Sequence, residues 1–346
     1  MEFPHLIATL NSEVICSSVM VKKTTAVAHP IQGIVKYHGM RDEKLRLPYH
    51  DSISVCTAPS KTTTTAQFSL DIDENQYQID GETVTGSGAA RLDRIVEEVQ
   101  SRSSKLDKDY NVRLESQNTF PSNVGLGSSS SGFAAAAMAL VGAADLELSR
   151  PEISAIARRG SSSAARAVTG GFSHLYAGLN DQDCRSERIE TTIEDELRIV
   201  VGLVPAYKET DDAHAEAADS HMFDARRAHI GDQIVECRDA LRSGDFDRVF
   251  KLAEHDSLSL AATTMTGPAG WVYWQPETLE IFEVVKSLRE EQNIPVYFST
   301  DTGATVYVNT KKEYVDTVEE AVSDCGVEAM IWKAGGPARL TDDHLF

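Results

Sequence analysis

The sequence predicts an α+β protein with two lobes. Its 346 residues can bury a large core and exceed the usual length of a single domain. Segments with the β-branched, partly alternating pattern of strands and segments with the 3.6-residue period of helices occur in both halves of the chain. The apolar fraction of 41% and the charged fraction of 25% are ordinary for a globular protein.

The N-terminal half contains two strand patterns and three helix patterns. The strand patterns are rich in β-branched residues, and the helix patterns repeat apolar residues at helical spacing. Strands are expected at 13–27 and 63–79, and helices at 86–103, 132–141 and 151–168.

The C-terminal half begins with a new strand-rich segment. We therefore place the lobe boundary between 180 and 196 and divide the chain into residues 1–190 and 191–346. A short amphipathic helix near the end stops at Gly326, a typical C-terminal cap. Strands are expected at 196–206 and, as a strand-turn-strand unit, at 294–310; helices are expected at 213–243, 245–263, 276–292 and 313–326.

The charge balance restricts the function classes. Thirty-three basic and 53 acidic side chains give a formal net charge of −20. Such a surface repels nucleic-acid phosphates, so a DNA- or RNA-binding role is disfavoured. The excess of carboxylates is compatible with a halophilic cytosol, and an ordinary acidic enzyme is the alternative.

The pattern of apolar residues and cysteines predicts a cytoplasmic protein without a membrane partner. The longest apolar runs are shorter than a membrane span, and the N-terminus has no basic region followed by a long apolar core. The 5 cysteines are scattered and lack CxxC spacing, which favours a reducing compartment over a disulfide framework or a metal knuckle.

A glycine- and serine-rich stretch precedes a strong helix former in "NTFPSNVGLGSSSSGFAAAAMAL", residues 118–140. Glycines let backbone N–H groups converge, and a helix N-terminus adds positive potential, so the pattern indicates an anion site. Serine hydroxyls there can bind phosphate oxygens or a Mg²⁺ ion. The stretch is neither a Walker A loop nor a GxGxxG motif, and a flexible loop with serine caps is the structural alternative. The candidate residues are Gly125, Gly127, Ser128, Ser129, Ser130 and Ser131.

Four segments, in order along the chain, resemble one enzyme family. "PSNVGLGSSS" is similar to the phosphate-binding motif of the GHMP kinases. "IVKYHGMRDEKLRLPYHDSISV", "ARRGSSSAARAVTGGF" and "VYFSTDTGATVYV" resemble segments of the phosphomevalonate and diphosphomevalonate decarboxylases within that superfamily. The resemblance spans most of the chain. It implies an N-terminal ATP-binding lobe, a C-terminal ferredoxin-like lobe and an active site in the cleft between them.

The resemblance also implies a reaction and its cofactors. ATP, with Mg²⁺, phosphorylates the tertiary 3-hydroxyl of a phosphorylated mevalonate. The 3-phosphate and the C1 carboxylate then leave together, and an alkene and CO₂ form. The family pattern further implies a homodimer.

Three positions that match the family motifs are catalytic candidates. The resemblance implies that Asp301 accepts or orients the 3-hydroxyl proton, that Arg166 grips the substrate carboxylate with two parallel bonds, and that Lys36 balances the charge between them. Without the motifs, a turn aspartate, a surface arginine and a solvated lysine are the plain alternatives. The further substrate-binding positions are Tyr37, Ser161 and Ser163.

Two departures from the family pattern concern the phosphate end of the substrate. Met40 stands where the family has a substrate-binding lysine, and the segment 204–223, which contains Asp211 and Asp212, has no arginine. Each lost charged hydrogen bond is worth roughly 1.5–3 kcal/mol, so a diphosphate would be held less well than a monophosphate. We therefore expect (R)-5-phosphomevalonate as the substrate and isopentenyl phosphate as the product, as in the archaeal variant of the mevalonate route.

Three other functions stay open. They are a diphosphomevalonate decarboxylase with a rebuilt phosphate pocket, a kinase that stops at the 3-phosphate, and a non-catalytic module of the same fold. Release of CO₂ separates the decarboxylases from the other two. Further candidates are His29, His38 and His50 for the substrate phosphate, and the run "KTTTT" at 61–65 for the nucleotide.

Overall fold

The computed structural model describes residues 22–120, 126–206 and 214–346. Strands and helices are mixed along the chain, which confirms the predicted α+β class. The strands are β1 (Thr24–Ala28), β2 (Ile31–Val35), β3 (Met40–Asp42), β4 (Leu47–Pro48), β5 (Ser52–Ala58), β6 (Thr62–Ser69), β7 (Gln76–Ile79), β8 (Glu82–Thr83), β9 (Asn111–Asn118), β10 (Phe172–Leu175), β11 (Ser186–Ile189), β12 (Leu197–Leu203), β13 (Val296–Ser299), β14 (Val306–Lys311), β15 (Glu328–Ala334) and β16 (Arg339–Thr341).

The helices pack on two sheets. They are α1 (Gly86–Arg102), α2 (Ser128–Ala143), α3 (Arg150–Arg158), α4 (Ser162–Thr169), α5 (Ile193–Glu196), α6 (Phe223–Ser243), α7 (Phe246–Met265), α8 (Pro276–Gln292) and α9 (Val315–Ser323). No helix in the described part of the chain is both long and apolar enough to cross a membrane.

The first sheet has six strands in the order β16-β1-β6-β9-β7-β8. The pairs are antiparallel except β7 with β9. Helix α2 lies against β1 and β6, and its alanine-rich sequence lets it approach closely. A Cβ on Gly142 would be only 2.6 Å from Thr24 Cγ2, which shows how near this helix comes to the sheet. The close contact fixes the N-terminus of α2 relative to the strands.

The second sheet has eight strands and takes them from both halves of the sequence. Its order is β11-β10-β5-β15-β12-β14-β13, with β2 also paired to β5. Strand β5 meets β15 through Thr57 and Ala334, so the sheet continues across the predicted boundary near residue 190. The division into 1–190 and 191–346 stays a prediction.

Helices cover both faces of the second sheet. Side chains alternate between the two faces along each strand, and apolar residues on both faces are buried against helices. Ile199 and Val201 of β12 face the core cluster that includes α6 and α7. Val200 faces the other cluster, which includes α8 and α9. Helix α7 also contacts β2 and β13, the two strands that lead into the candidate catalytic residues.

The helix predicted at 151–168 is two helices, α3 and α4, with a break at residues 159–161. A Cβ on Gly160 would lie 2.3 Å from Phe133 Cδ1, so the chain passes close to that ring. Ser161 is extended, with φ −159° and ψ 134°, and precedes the first residue of α4. Because of the break, Arg166 lies on a separate short helix, α4.

Candidate active site

Arg166 is held inside the protein by the short helix α4. Its side chain is only 3% exposed, and its Cζ lies 5.3 Å from the centre of the Tyr37 ring. Among the described residues, its Nε and Nη1 have no hydrogen-bond partner. Burial lowers the pKa of Arg166, while Tyr37 and Asp301 oppose that shift. A buried guanidinium with two nitrogens that have no partner is suited to binding an anion.

Lys36 and Asp301 converge over Gly33. A Cβ placed on Gly33 would lie 2.5 Å from Lys36 Cγ and 2.9 Å from Asp301 Oδ1. No larger residue fits there, because both side chains cross the space directly above its Cα. Lys36 follows β2, and Asp301 stands in the turn between β13 and β14. Two segments that are distant in sequence thus bring the Lys36 side chain beside the Asp301 carboxylate, while the Lys36 ammonium lies 3.6 Å from Asp256 Oδ2.

The three predicted catalytic residues share one electrostatic environment. Burial lowers the pKa of Lys36, while the negative charges of Asp256 and then Asp301 oppose the shift. Asp301 acts on Arg166 in the same direction. The structure therefore brings Lys36, Arg166 and Asp301 into one site. They come from different elements: Arg166 lies on a helix, whereas Lys36 and Asp301 follow strands.

Tyr37 forms a wall of this site. Its ring lies between Arg166 and His214, and it stacks on His214 with 5.0 Å between ring centres. His214 Nδ1 accepts a bond of 3.3 Å from the Gly39 N–H. Segment 204–223, which has no arginine, thus places a histidine against the face of the Tyr37 ring. Asp211 and Asp212, in the same segment, lie outside the described residues.

The three histidines proposed for the substrate phosphate lie in different surroundings. His38 is fully buried, and burial holds its pKa well below the usual range. Burial also lowers the pKa of His50 to about 4, so both rings are neutral near pH 7. His29 instead contacts the Ser60 carbonyl through Nδ1, at 2.8 Å. A neutral ring can donate a hydrogen bond to a phosphate but offers it no charge. The phosphate-binding role of these histidines stays a prediction.

The start of α4 carries the predicted substrate-binding serines. The Oγ atoms of Ser161 and Ser163 are 2.8 Å apart and hydrogen-bonded to each other. Ser162 donates to the Arg46 carbonyl at 2.7 Å and contacts Met40 Sδ at 3.7 Å. Met40 therefore lies next to the serines that are predicted to bind the substrate.

The glycine-serine stretch leads into helix α2, which begins at Ser128 rather than at the predicted residue 132, so the four serines form the first turn of the helix instead of a loop before it. Gly127 has a left-handed φ of 76° and caps the helix N-terminus. Ser128 is half-buried and Ser129 is exposed, so their hydroxyls can reach a ligand. Gly125 lies outside the described residues.

The last two serines of the stretch are used within the protein. Ser130 Oγ donates to the Gly127 carbonyl at 2.6 Å and accepts from the Ile31 N–H at 3.2 Å. Ser131 Oγ bonds Thr62 Oγ1 at 2.7 Å, which places one threonine of "KTTTT" against the helix start. Of the four serine hydroxyls, those of Ser128 and Ser129 are therefore the ones left to meet a ligand, and the ATP-binding role of the stretch stays a prediction.

Sequence reasoning missed three residues behind Lys36: Arg226 on α6, and Asp256 and Ser257 on α7. All three are buried. The signal was present, because Asp256 lies on the same face of α7 as the buried Val249, Ala253 and Leu260. A carboxylate on an apolar helix face must have a partner inside the protein.

Within residues 22–120, 126–206 and 214–346, no group of three or more His, Cys, Asp or Glu side chains is placed to hold a metal ion. Mg²⁺ often binds through substrate phosphates and few protein ligands. The hydroxyls of Ser128 and Ser129 at the start of α2 fit that kind of site.

The fold is that of the GHMP kinases. It matches the mevalonate diphosphate decarboxylase of Staphylococcus aureus with a TM-score of 0.87 and 26% identity, over 93% of this chain and 99% of that one. A mevalonate diphosphate decarboxylase from Enterococcus faecalis matches with a TM-score of 0.85 and 26% identity, over 93% and 99% of the two chains. A structure described as MDDEF in complex with MVAPP, AMPPCP and magnesium matches with the same TM-score, identity and two coverages.

Sequence relatives narrow this class to one family. The diphosphomevalonate decarboxylase-like N-terminal domain matches residues 28–186. The phosphomevalonate decarboxylase of Haloferax volcanii is 68% identical over 321 residues, which cover 93% of this chain and 98% of that protein. The diphosphomevalonate decarboxylase of Schizosaccharomyces pombe is 29% identical over 306 residues, or 81% and 77%. The chain belongs to the diphosphomevalonate decarboxylase-like family, which confirms the resemblance.

Proposed function

We propose that this protein is an ATP-dependent phosphomevalonate decarboxylase, which converts (R)-5-phosphomevalonate and ATP to isopentenyl phosphate, ADP, phosphate and CO₂. The observation that carries the proposal is the convergence of Lys36 and Asp301 over Gly33, beside a buried Arg166 with two unpartnered nitrogens. The 68% identity to a phosphomevalonate decarboxylase supports it.

Asp301 and Lys36 serve the first step. The 3-hydroxyl oxygen attacks the γ-phosphorus of ATP, the bond from that phosphorus to ADP breaks, and Asp301 accepts or orients the hydroxyl proton. Lys36 stabilises the negative charge that gathers between the carboxylate and the transferring phosphoryl group.

Arg166 serves the second step. Its guanidinium holds the C1 carboxylate so that the C1–C2 bond lies in a defined orientation to the C3–O bond. The C1–C2 electron pair becomes the C2=C3 double bond, CO₂ leaves, and phosphate departs with the C3–O electron pair. Tyr37 packs against Arg166 and restricts its movement.

The start of α2 serves the nucleotide. The N–H groups that follow Gly127 point away from the helix and add positive potential for the ATP phosphates. The hydroxyls of Ser128 and Ser129 complete this surface and would share a Mg²⁺ ion with phosphate oxygens. That ion would neutralise phosphate charge during transfer.

Substrate choice depends on the surroundings of Met40. A thioether beside Ser162 offers no charge to a second phosphate. A diphosphate would therefore lose a charge-assisted bond in this place, whereas a monophosphate needs fewer donors. This favours the monophosphate over the diphosphate as the substrate.

The test compares both substrates in one assay of ATP-dependent CO₂ release at matched salt. We expect kcat/KM for the 5-phosphate to exceed that for the 5-diphosphate by at least about tenfold, or roughly 1.4 kcal/mol. Met40→Lys should narrow the gap by improving the diphosphate more. The control is Leu279→Lys, which adds the same charge at an exposed position of α8.

Two outcomes would contradict the proposal in different ways. Equal or better use of the diphosphate would assign the protein to the diphosphomevalonate decarboxylases. Consumption of ATP without CO₂ would assign it to the kinases that stop at the 3-phosphate.

A further inference from the structure

A buried ion pair, Arg226 with Asp256, forms hydrogen bonds with the backbone of Lys36. Asp256 Oδ2 accepts from the Lys36 N–H at 2.9 Å, and Arg226 Nη2 donates to the Lys36 carbonyl at 2.7 Å. Arg226 Nη2 also binds Asp256 Oδ1 at 2.8 Å. Both side chains are at most 1% exposed. Two helices thus fix the backbone on both sides of the Lys36 Cα.

A single hydroxyl joins the side chain of Lys36 to the turn that carries Asp301. Ser257 Oγ accepts from Lys36 Nζ at 3.1 Å and from the Thr300 N–H at 3.1 Å. It donates its own proton to the Ala253 carbonyl at 2.7 Å. The hydroxyl therefore uses its full capacity of one donated and two accepted bonds.

We propose that Asp256, Arg226 and Ser257 are positioning residues that hold Lys36 in register with Asp301. The distance between the two charged groups is then set by the packing of α6 and α7 against β2 and β13. A rigid distance between an ammonium and a carboxylate fixes where the transferring phosphoryl group can sit. The inference rests on the proposed function only in that Lys36 and Asp301 face the substrate.

The ionisable groups around Lys36 also influence its pKa. The ionisable groups that face it are Asp256 on α7, Arg226 on α6 and Asp301 in the turn after β13. Asp256 makes the largest opposing contribution to the effect of burial on the Lys36 pKa. Removing its charge should therefore let Lys36 lose its proton at a lower pH.

The first experiment is kinetic and uses Ser257→Ala, with Ser259→Ala as the control on the same helix. Ser257→Ala should lower kcat by about 10- to 100-fold while the KM values for ATP and 5-phosphomevalonate stay within about twofold. Ser259→Ala should keep wild-type kinetics. Equal kcat in the two variants would overturn the positioning role.

The second experiment does not depend on turnover. Lysine labelled with ¹³C at Cε is titrated by NMR in the wild type and in Asp256→Asn, with Lys36→Met identifying the signal. The Lys36 midpoint should fall in Asp256→Asn, and the alkaline limb of kcat should move to lower pH with it. An unchanged Lys36 midpoint in folded Asp256→Asn would overturn this inference and leave the proposed function untouched.

Failure of the proposed function looks different. If the wild-type enzyme releases no CO₂ from either substrate, the decarboxylase assignment is rejected. The NMR midpoints would still test whether Asp256 and Arg226 set the environment of Lys36. If Asp256→Asn does not fold, Arg226→Gln combined with Asp256→Asn removes both charges of the pair. The Lys36 midpoint of that double variant should again lie below the wild-type value, and an unchanged midpoint would reject the role of the pair.

Discussion

Arg166, Lys36 and Asp301 leave the site with one more positive than negative charge, since the pair of Arg226 and Asp256 is neutral overall. A buried positive excess is costly to keep unpaired. An incoming substrate carboxylate offsets it, so binding and charge balance act in the same direction. That is the reason to expect an anion beside Arg166.

Asp301→Asn tests the carboxylate at this site. The amide keeps the shape of the side chain but cannot accept a proton, so kcat should fall by about 10²–10⁴-fold while the protein stays folded. Asp232→Asn, at an exposed position of α6, is the matched control and should keep wild-type turnover. Near-normal kcat in folded Asp301→Asn would remove Asp301 from the role.

His50 predicts a loss of stability in acid. Burial lowers its folded pKa from 6.5 to about 4, whereas the unfolded chain takes up the proton from about pH 6.5 downward. The stability that the neutral ring contributes is complete above pH 6.5 and is lost as the pH falls toward 4. Melting temperatures between pH 7 and 4.5 should therefore fall less steeply for His50→Gln than for the wild type. Parallel slopes would contradict this.

At the scale of elements, helix α2 connects the first sheet to the proposed nucleotide site. Its alanine face lies on β1 and β6, and its N-terminus carries Gly127 and the two accessible serines. A side chain at Gly127 would have its Cβ 3.2 Å from the Ile31 carbonyl oxygen, at a φ that L-residues rarely adopt. The helix start therefore tolerates no side chain without moving.

Gly127→Val should abolish ATP binding measured by calorimetry, because it displaces the backbone N–H groups that face the phosphates. The control is Gly132→Ala on the same helix, where an added Cβ would meet open space. That variant should bind ATP as the wild type does. Unchanged ATP affinity in Gly127→Val would count decisively against the loop as the nucleotide site.

The sequence predicted elements better than the contacts between them. Helices with long periodic patterns, such as Pro276–Gln292, agree with the structure at both ends. The break at Ser161 was missed because it depends on the ring of Phe133, which comes from another helix. Strand β16 was also missed, since three residues carry no period and the pairing partner, β1, lies at the other end of the sequence.

The candidate site was predictable where a motif carries it and not elsewhere. Lys36, Arg166 and Asp301 were identified through segments that resemble the family, and their convergence depends on sheet topology that no local pattern contains. Asp256 and Ser257 act through contacts across α7 and were invisible to motif comparison. The Ser130 hydroxyl donates to the Gly127 carbonyl and accepts from the Ile31 N–H, two contacts that the sequence pattern does not reveal.

At the scale of the whole molecule, the charge of −20 predicts a dependence on salt. Repulsion among carboxylates opposes folding, and at 1 M salt the screening length shrinks to about 3 Å. Melting temperature and activity should rise steeply from low salt to molar KCl. A neutral osmolyte at equal osmolality is the control, and a flat melting temperature in KCl would reject the halophile hypothesis. The homodimer and the cytoplasmic location stay predictions.

The pairing of β1 with β16 has a consequence for biosynthesis. Thr25 bonds His344 across 319 positions of sequence. At roughly 5–20 residues per second, a ribosome needs about 15–60 s to make the chain between them. During that interval β1 presents an open edge, to which a strand of another nascent chain could pair. The yield of folded protein in a foreign host should therefore depend on how well its chaperones protect that edge until the late segment emerges.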